Sequence, residues 1–245
     1  MNKPLNQKSY GSIPHLPGSR QNRTDKGLSG GQAKIVLSLP RKDDIIIVQE
    51  KLDGSNVCVA NIEGTLISLG RSGHPCVSSN YEQHRYFDVW VQKNLDKFKF
   101  LKQGQRVCGE WLLQAHGSLY DLPHEPFVAF DIFTEGYNRL NYKEFSQIAT
   151  DNRLIIPRLI QYGSSPIDVE NILKTLDNGK FYHGCLEELE GFVVRVEHKG
   201  KVDFLTKYVR PSKVDGKYLM NEHGKLPDIW NKWNGECAKE RILKL

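Results

Sequence analysis

A chain of 245 residues with 39% hydrophobic residues can bury one large core, with room for a small appendage. No apolar stretch approaches the ~18 residues that cross a bilayer. Residues Met1 to Tyr10 lack the apolar centre of a secretion signal, and five cysteines make an odd number with no C-x-x-C pair. Secretion, a disulfide framework and a zinc centre are therefore not expected, and a reducing cytoplasm is. The net charge of +5, from 34 basic against 29 acidic residues, is compatible with a polyanionic partner and does not require one.

Residues 1–33 are rich in glycine and proline and carry Lys3, Lys8, Arg20, Arg23 and Lys26 against Asp25 alone. They read as an extended basic arm, with Arg20, Arg23 and Lys26 as candidate polyanion contacts. The β-branched run from Ile45 to Gln49 predicts a strand leading into Glu50 and Lys51. Val57–Ala60 and Leu66–Leu69 predict a hairpin turning at Asn61-Ile62-Glu63-Gly64. Ser79, with Glu82 three residues on, signals a capping box. Behind it Phe87, Trp90, Val91, Leu95 and Phe98 recur at helical spacing, which predicts one long amphipathic helix. Strands are expected at 106–113, 127–133 and 154–160, and a short helix at 142–149. Ser165-Pro166 is read as opening a helix that ends at Asn178-Gly179. Strands 191–196 and 202–208 should pair across His198-Lys199-Gly200. Strands joined by short turns argue for an antiparallel α+β domain over residues 34–210, with helices outside it.

Chemistry concentrates at the end of the first strand. Lys51-Leu52-Asp53-Gly54 is a K-x-D-G tetrapeptide, and Lys213-Val214-Asp215-Gly216 repeats the pattern with nothing behind it. Downstream of Lys51 lie Arg71, Glu110, Phe130, Glu190 and Lys207, most of them on short apolar runs. A lysine is a nucleophile only as the free amine, which desolvation and neighbouring cations favour. Glu110 and Glu190 sit among apolar residues, where an unpaired carboxylate is costly, so each needs a partner. Gly54 lets the chain turn close to a ligand. A reactive amine followed by acidic, aromatic and basic groups on successive strands suits covalent nucleotidyl transfer.

The set Lys51-Leu52-Asp53-Gly54-Ser55-Asn56, Arg71-Ser72, Cys108-Gly109-Glu110-Trp111, Phe130-Asp131-Ile132, Glu190-Gly191-Phe192-Val193-Val194-Arg195 and Lys207-Tyr208 resembles the covalent nucleotidyltransferases. Within that superfamily it is most similar to the RNA ligase 2 branch, which includes the RNA-editing ligases. The resemblance implies an antiparallel ATP-grasp-like ligase domain with peripheral helices. It implies ATP as co-substrate, Mg²⁺ (or Mn²⁺) as metal, and RNA ends or a nicked RNA duplex as partner. A monomer with no membrane association is expected, with a partner protein conceivable as completion of the RNA surface.

By the same resemblance, Lys51 attacks the α-phosphate of ATP and keeps AMP as a phosphoramidate. Glu50 meets the adenine edge and Phe130 stacks on the base. Arg71 and Glu110 fix the ribose, Asn56 orients phosphates and RNA ends, and Glu190 acts through the metal. Lys207 clamps the α-phosphate, while Asp53, Gly54 and Asp131 support the site. The family's last motif carries two lysines one residue apart, and Leu205 stands in place of the first. Arg210 or a residue of the basic arm is the candidate replacement, and Arg210 a candidate RNA contact. Residues 211–245 are too few for an OB barrel, so no OB domain is expected there, only a short helical tail. A DNA nick ligase, a capping-type guanylyltransferase using GTP, and an inactive nucleic-acid-binding relative are the alternatives.

Overall fold

The computed structural model of the protein describes residues 3–134, 136–219 and 229–245. Its first helix, α1 (Gly30–Leu37), is capped by Ser29, whose side chain accepts from the Gln32 amide. The run of isoleucines and valine forms β1 (Asp44–Lys51), followed by β2 (Ser55–Ile62) and β3 (Thr65–Gly70). α2 (Glu82–Lys93), β4 (Arg106–Trp111), β5 (Asp121–Leu122) and β6 (Phe127–Phe133) come next. After them lie α3 (Tyr142–Asp151), β7 (Leu159–Gly163), α4 (Val169–Asn178), β8 (Gly191–His198) and β9 (Lys201–Val209). The chain closes with β10 (Lys232–Trp233), β11 (Glu236–Cys237) and α5 (Ala238–Leu243).

Two antiparallel four-stranded sheets carry the architecture, ordered β7-β1-β8-β9 and β3-β2-β4-β6. Strand alternation gives each sheet two covered faces. Ile46 and Val48 pack with Val36 of α1 and with Ile172 and Leu176 of α4, while Ile47 joins the cluster of Phe87, Trp90 and Trp111. The far face of the second sheet, with Cys58 and Cys108, is sealed by Tyr10. Both long hairpins turn on two residues with positive φ, Glu63-Gly64 (52° and 80°) and Lys199-Gly200 (51° and 76°). That geometry matches the right-handed twist of the strands and fixes their register. The mixed antiparallel α+β expectation is met.

Several local expectations are corrected. The single long helix stops at Lys93, because the Asn94 side chain donates to Trp90 O at 2.8 Å, and only a 3₁₀ turn at Leu95–Phe98 continues. No capping box forms, since Ser79 Oγ accepts from the Tyr81 amide and contacts His84 Nδ1 instead. The strand expected at 154–160 begins at Leu159, after Pro157, which has no N–H to offer a ladder. Asp168, not Ser165-Pro166, opens α4, its carboxylate accepting from the Asn171 amide. The tail expected as helix carries the helix α5 of six residues but also the short β10–β11 hairpin, whose β10 pairs in parallel with β5; residues 220–228 of it lie outside the described residues.

Residues 3–29 do not stand off as a separate arm. Tyr10 and Leu16 are buried, Lys207 N donates to Pro14 O, and Leu16 N donates to Lys207 O, so this segment lines the outer edge of β9. Two apolar anchors and a backbone ladder outweigh the composition that suggested a free tail.

Gly191 opens β8 at φ 153°, and a Cβ there would lie 1.9 Å from Tyr208 O of β9. Gly191→Ala should therefore cost about 3 kcal/mol or more in urea unfolding. Gly200→Ala, also at positive φ but facing open space, should cost only about 1 kcal/mol. Equal losses would show that the close approach to β9 carries no energy.

Candidate active site

Where the two large sheets meet, a cleft of about 790 Å³ is lined by residues from both, among them Lys51, Asn56, Arg71, Glu110, Phe130 and Lys207. β1 delivers Lys51 at its last position, paired with Gly191 of β8, so Glu190 lies directly alongside. Lys51 Nζ is 2.6 Å from Glu190 Oε2. The tight turn after β1 is possible because Gly54 has no Cβ: one there would lie 2.6 Å from Trp111 O. Gly54 N in turn donates to Glu110 Oε1 at 3.0 Å, which fixes that carboxylate.

The electrostatics differ from the cation-activated amine expected. Burial works against the Lys51 ammonium, but Glu190, Glu110 and Asp53 outweigh it and hold its pKa above the ordinary range. Burial in turn pushes the Glu110 carboxyl up to about 7, with Lys51 pulling the other way. Burial likewise raises Glu190, opposed by Lys51. Lys207 is lowered, first by burial and then by the charge of Lys51. The resting site is a protonated lysine among carboxylates, with a second lysine disfavoured as a cation nearby.

Phe130 owes its place to a β-bulge. β4 and β6 pair Gly109 with Ala129 and Cys108 with Asp131, leaving Phe130 unopposed in the ladder. A bulged residue is re-aimed out of the pleat, and here the ring lines the cleft, packed edge-on against Tyr10 at 5.1 Å. Asp131, next in the strand, is fully buried. It accepts from Arg195 at 2.9 Å, from Arg139 at 2.6 Å and from Tyr10 at 3.3 Å. These bonds tie β6 to β8 and to the amino-terminal segment. Asp53 accepts from Gly117 N at 2.9 Å.

Glu50 lies in the cleft wall, but its carboxylate is buried. Oε1 accepts from Arg158 N at 2.8 Å and lies 2.6 Å from His183 Nε2 at an angle unlike a straight hydrogen bond, while Oε2 has no partner. Asn56 Oδ1 is likewise buried without a partner. Arg71 is exposed and donates to Ser12 Oγ at 3.0 Å. Leu205 faces the same cleft, buried.

Arg210 does not replace the lysine missing at 205. Its guanidinium is buried and committed to Asp177 (2.6 Å), Glu188 (3.2 Å) and the carbonyls of Leu189 and Leu173. Nor does it offer a surface for RNA. Arg20 is tied to Asp215 at 2.8 Å, while Arg23 and Lys26 are exposed. Lys213 of the second K-x-D-G is buried with Nζ 2.7 Å from Ser118 Oγ, and it is not among the cleft residues.

The cleft also holds residues that the sequence did not single out: Ser12, Tyr81, His84 and His116. None lies in a motif with Lys51, and no spacing signals them. They arrive from the amino-terminal segment, the start of α2 and the loop before β5. Among the described residues, no group of three or more His, Cys, Asp or Glu is arranged to hold a metal ion. Glu110 nonetheless lines the cleft and Glu190 lies 2.6 Å from Lys51, and magnesium typically takes one or two carboxylates and completes its shell with phosphate oxygens and water. No helix among the described residues is long and apolar enough to cross a membrane.

A family model for RNA ligases matches residues 44–209. No curated protein matches the chain. Among solved structures, an RNA ligase of Naegleria gruberi with pyrophosphate aligns at 16% identity and a TM-score of 0.52, over 80% of this chain and 59% of that one. A variant of the same ligase with ATP and manganese aligns at 16% and 0.51, over 83% and 61%. An archaeal ATP-dependent RNA ligase aligns at 23% and 0.49, over 68% and 43%. The chain thus spans less than half of the archaeal ligase and about three fifths of the Naegleria one. At these identities the likeness is one of fold: the nucleotidyltransferase domain of ligases.

Proposed function

The chain belongs to the RNA ligase family, and from that premise we propose that it uses ATP to join 5′-phosphate and 3′-hydroxyl ends of RNA through an adenylate on Lys51. One observation carries the reading: a single cleft gathers a desolvated lysine, 2.6 Å from Glu190, with Glu110, Phe130 and Lys207 around it. In the first step the Lys51 Nζ lone pair forms a bond to the α-phosphorus, and the bond to the pyrophosphate oxygen breaks. AMP then passes to an RNA 5′-phosphate, and a 3′-hydroxyl displaces it to close the phosphodiester.

Each residue has a part. Phe130 stacks on adenine, and Glu50, whose Oε2 has no partner, accepts from the base amino group. Arg71 and Glu110 hold the ribose, and Asn56 turns its unpartnered amide oxygen toward the donors of the bound ends. A magnesium or manganese ion held by Glu190, with Glu110 beside it, would screen phosphate charge and neutralise the carboxylate nearest Lys51. With Glu190 so engaged, the burial that opposes the Lys51 ammonium would weigh more heavily toward the free amine that attack requires. Lys207 then stabilises charge developing on the α-phosphate.

Incubation with labelled ATP and Mg²⁺ followed by a denaturing gel should leave label on the protein, and labelled GTP should not. The protein should also seal a nick whose 3′-hydroxyl strand ends in ribonucleotides faster than one ending in deoxynucleotides, because the 2′-hydroxyl and A-form geometry tell RNA from DNA. Absence of label from ATP removes the proposal, and equal sealing of both nicks turns it into a DNA nick ligase.

A further inference from the structure

Besides Phe130 and the buried Tyr10 that packs on it, another aromatic ring, Tyr81, lines the cleft. Phe130 lies beside Gly109 and Cys108 of β4. Two residues along the same strand, Trp111 Nε1 donates to Gln83 O at 2.9 Å, which ties the start of α2 to β4. Tyr81 is the residue just before that helix; it lines the cleft, and it is 64% exposed. It belongs to no hydrophobic cluster.

The ring's position is nevertheless built. Ser79 Oγ accepts from Tyr81 N at 3.2 Å and lies 3.0 Å from His84 Nδ1, and the His84 ring meets Tyr81 edge to face at 5.5 Å, 72°. Burial lowers the His84 pKa to about 4, so its imidazole is neutral near pH 7 and its Nδ1 can accept the Ser79 hydroxyl proton. Arg85 donates to Ser79 O at 2.7 Å, and Arg71 also reaches the cleft. An exposed aromatic ring held in place in a cleft that a guanidinium also lines suits a stacked base with its phosphates in the same cleft.

We propose that Tyr81 is a stacking platform for the terminal nucleobase of the polynucleotide strand being joined, distinct from the Phe130 platform for the nucleotide. The assignment rests on the ligase reading, because a ligase must hold an adenylate and a strand end on either side of one reacting phosphate. Stacking uses the ring face, so the hydroxyl of Tyr81 is dispensable.

The test separates the steps. Wild type, Tyr81→Ala and Tyr81→Phe are compared for label uptake from ATP and for sealing of an RNA strand already adenylylated at its 5′ end. Tyr81→Ala should lose sealing about tenfold more than it loses label uptake, within the range measured for stacking one base, and Tyr81→Phe should seal nearly as wild type. Binding of the adenylylated RNA strand, read by fluorescence anisotropy, should weaken by a similar factor in Tyr81→Ala alone. Because that binding needs no turnover, it tests the platform even if label uptake from ATP fails and the ligase reading falls. Unchanged binding and sealing in Tyr81→Ala, or equal loss in both steps, overturns the platform.

Discussion

Lys51→Ala should take up no label from ATP, a loss limited only by the background of the gel, while Lys213→Ala should still be labelled. The two lysines sit in identical K-x-D-G tetrapeptides, so the contrast tests three-dimensional placement and not motif. Lys51 lines the cleft with Glu190 at 2.6 Å. Lys213 Nζ is buried against Ser118 Oγ at 2.7 Å and Gly117 O at 3.4 Å. Lys213→Ala removes a buried hydrogen-bonded charge, so it should lower stability by about 1–3 kcal/mol without touching the chemistry. Replacing an attacking atom instead leaves nothing to form the bond, and loss of a covalent nucleophile costs many factors of ten. Label retained by Lys51→Ala would remove the foundation of the proposed function.

Asp131→Ala should be among the most destabilising single changes in the protein, about 3–5 kcal/mol. Its carboxylate is fully buried and is the shared counter-ion of Arg195 and Arg139, with the Tyr10 hydroxyl as a third donor. Removing it strands two guanidinium groups, one of them nearly as buried as Asp131 itself. For a chain of this size each kcal/mol corresponds to roughly 2–4 °C, so the melting temperature should fall by about 10 °C or more. Asp131→Asn keeps the shape and part of the hydrogen bonding and should fall in between. The same change should disturb Phe130, whose carbonyl accepts from Arg195 at 3.3 Å. A urea midpoint for Asp131→Ala within error of wild type would show that the network is decorative.

The sequence by itself determined the strands that carry the chemistry and the identity of the groups they deliver. Ile45 to Val48 could form little except a buried strand, and two-residue turns at Glu63-Gly64 and Lys199-Gly200 set hairpin register locally. Desolvated carboxylates at Glu110 and Glu190 had to find partners, and in the folded chain both lie with Lys51. These signals are local, because period, turn chemistry and the cost of burying charge act within a few residues.

What the tertiary structure alone decided is everything that depends on distant segments meeting. The stretch 3–29 looked unpackable by composition, yet Tyr10 and Leu16 find apolar faces and its backbone finds the free edge of β9. Arg210 looked like a phosphate ligand until Asp177 and Glu188 claimed it from another part of the fold. Only the assembled site shows that Lys51 rests as an ammonium, because Glu190 and Glu110, the two carboxylates that act on it most, come from distant parts of the chain. Coulomb energy depends on distance in space, and sequence separation says almost nothing about it until the sheets have closed.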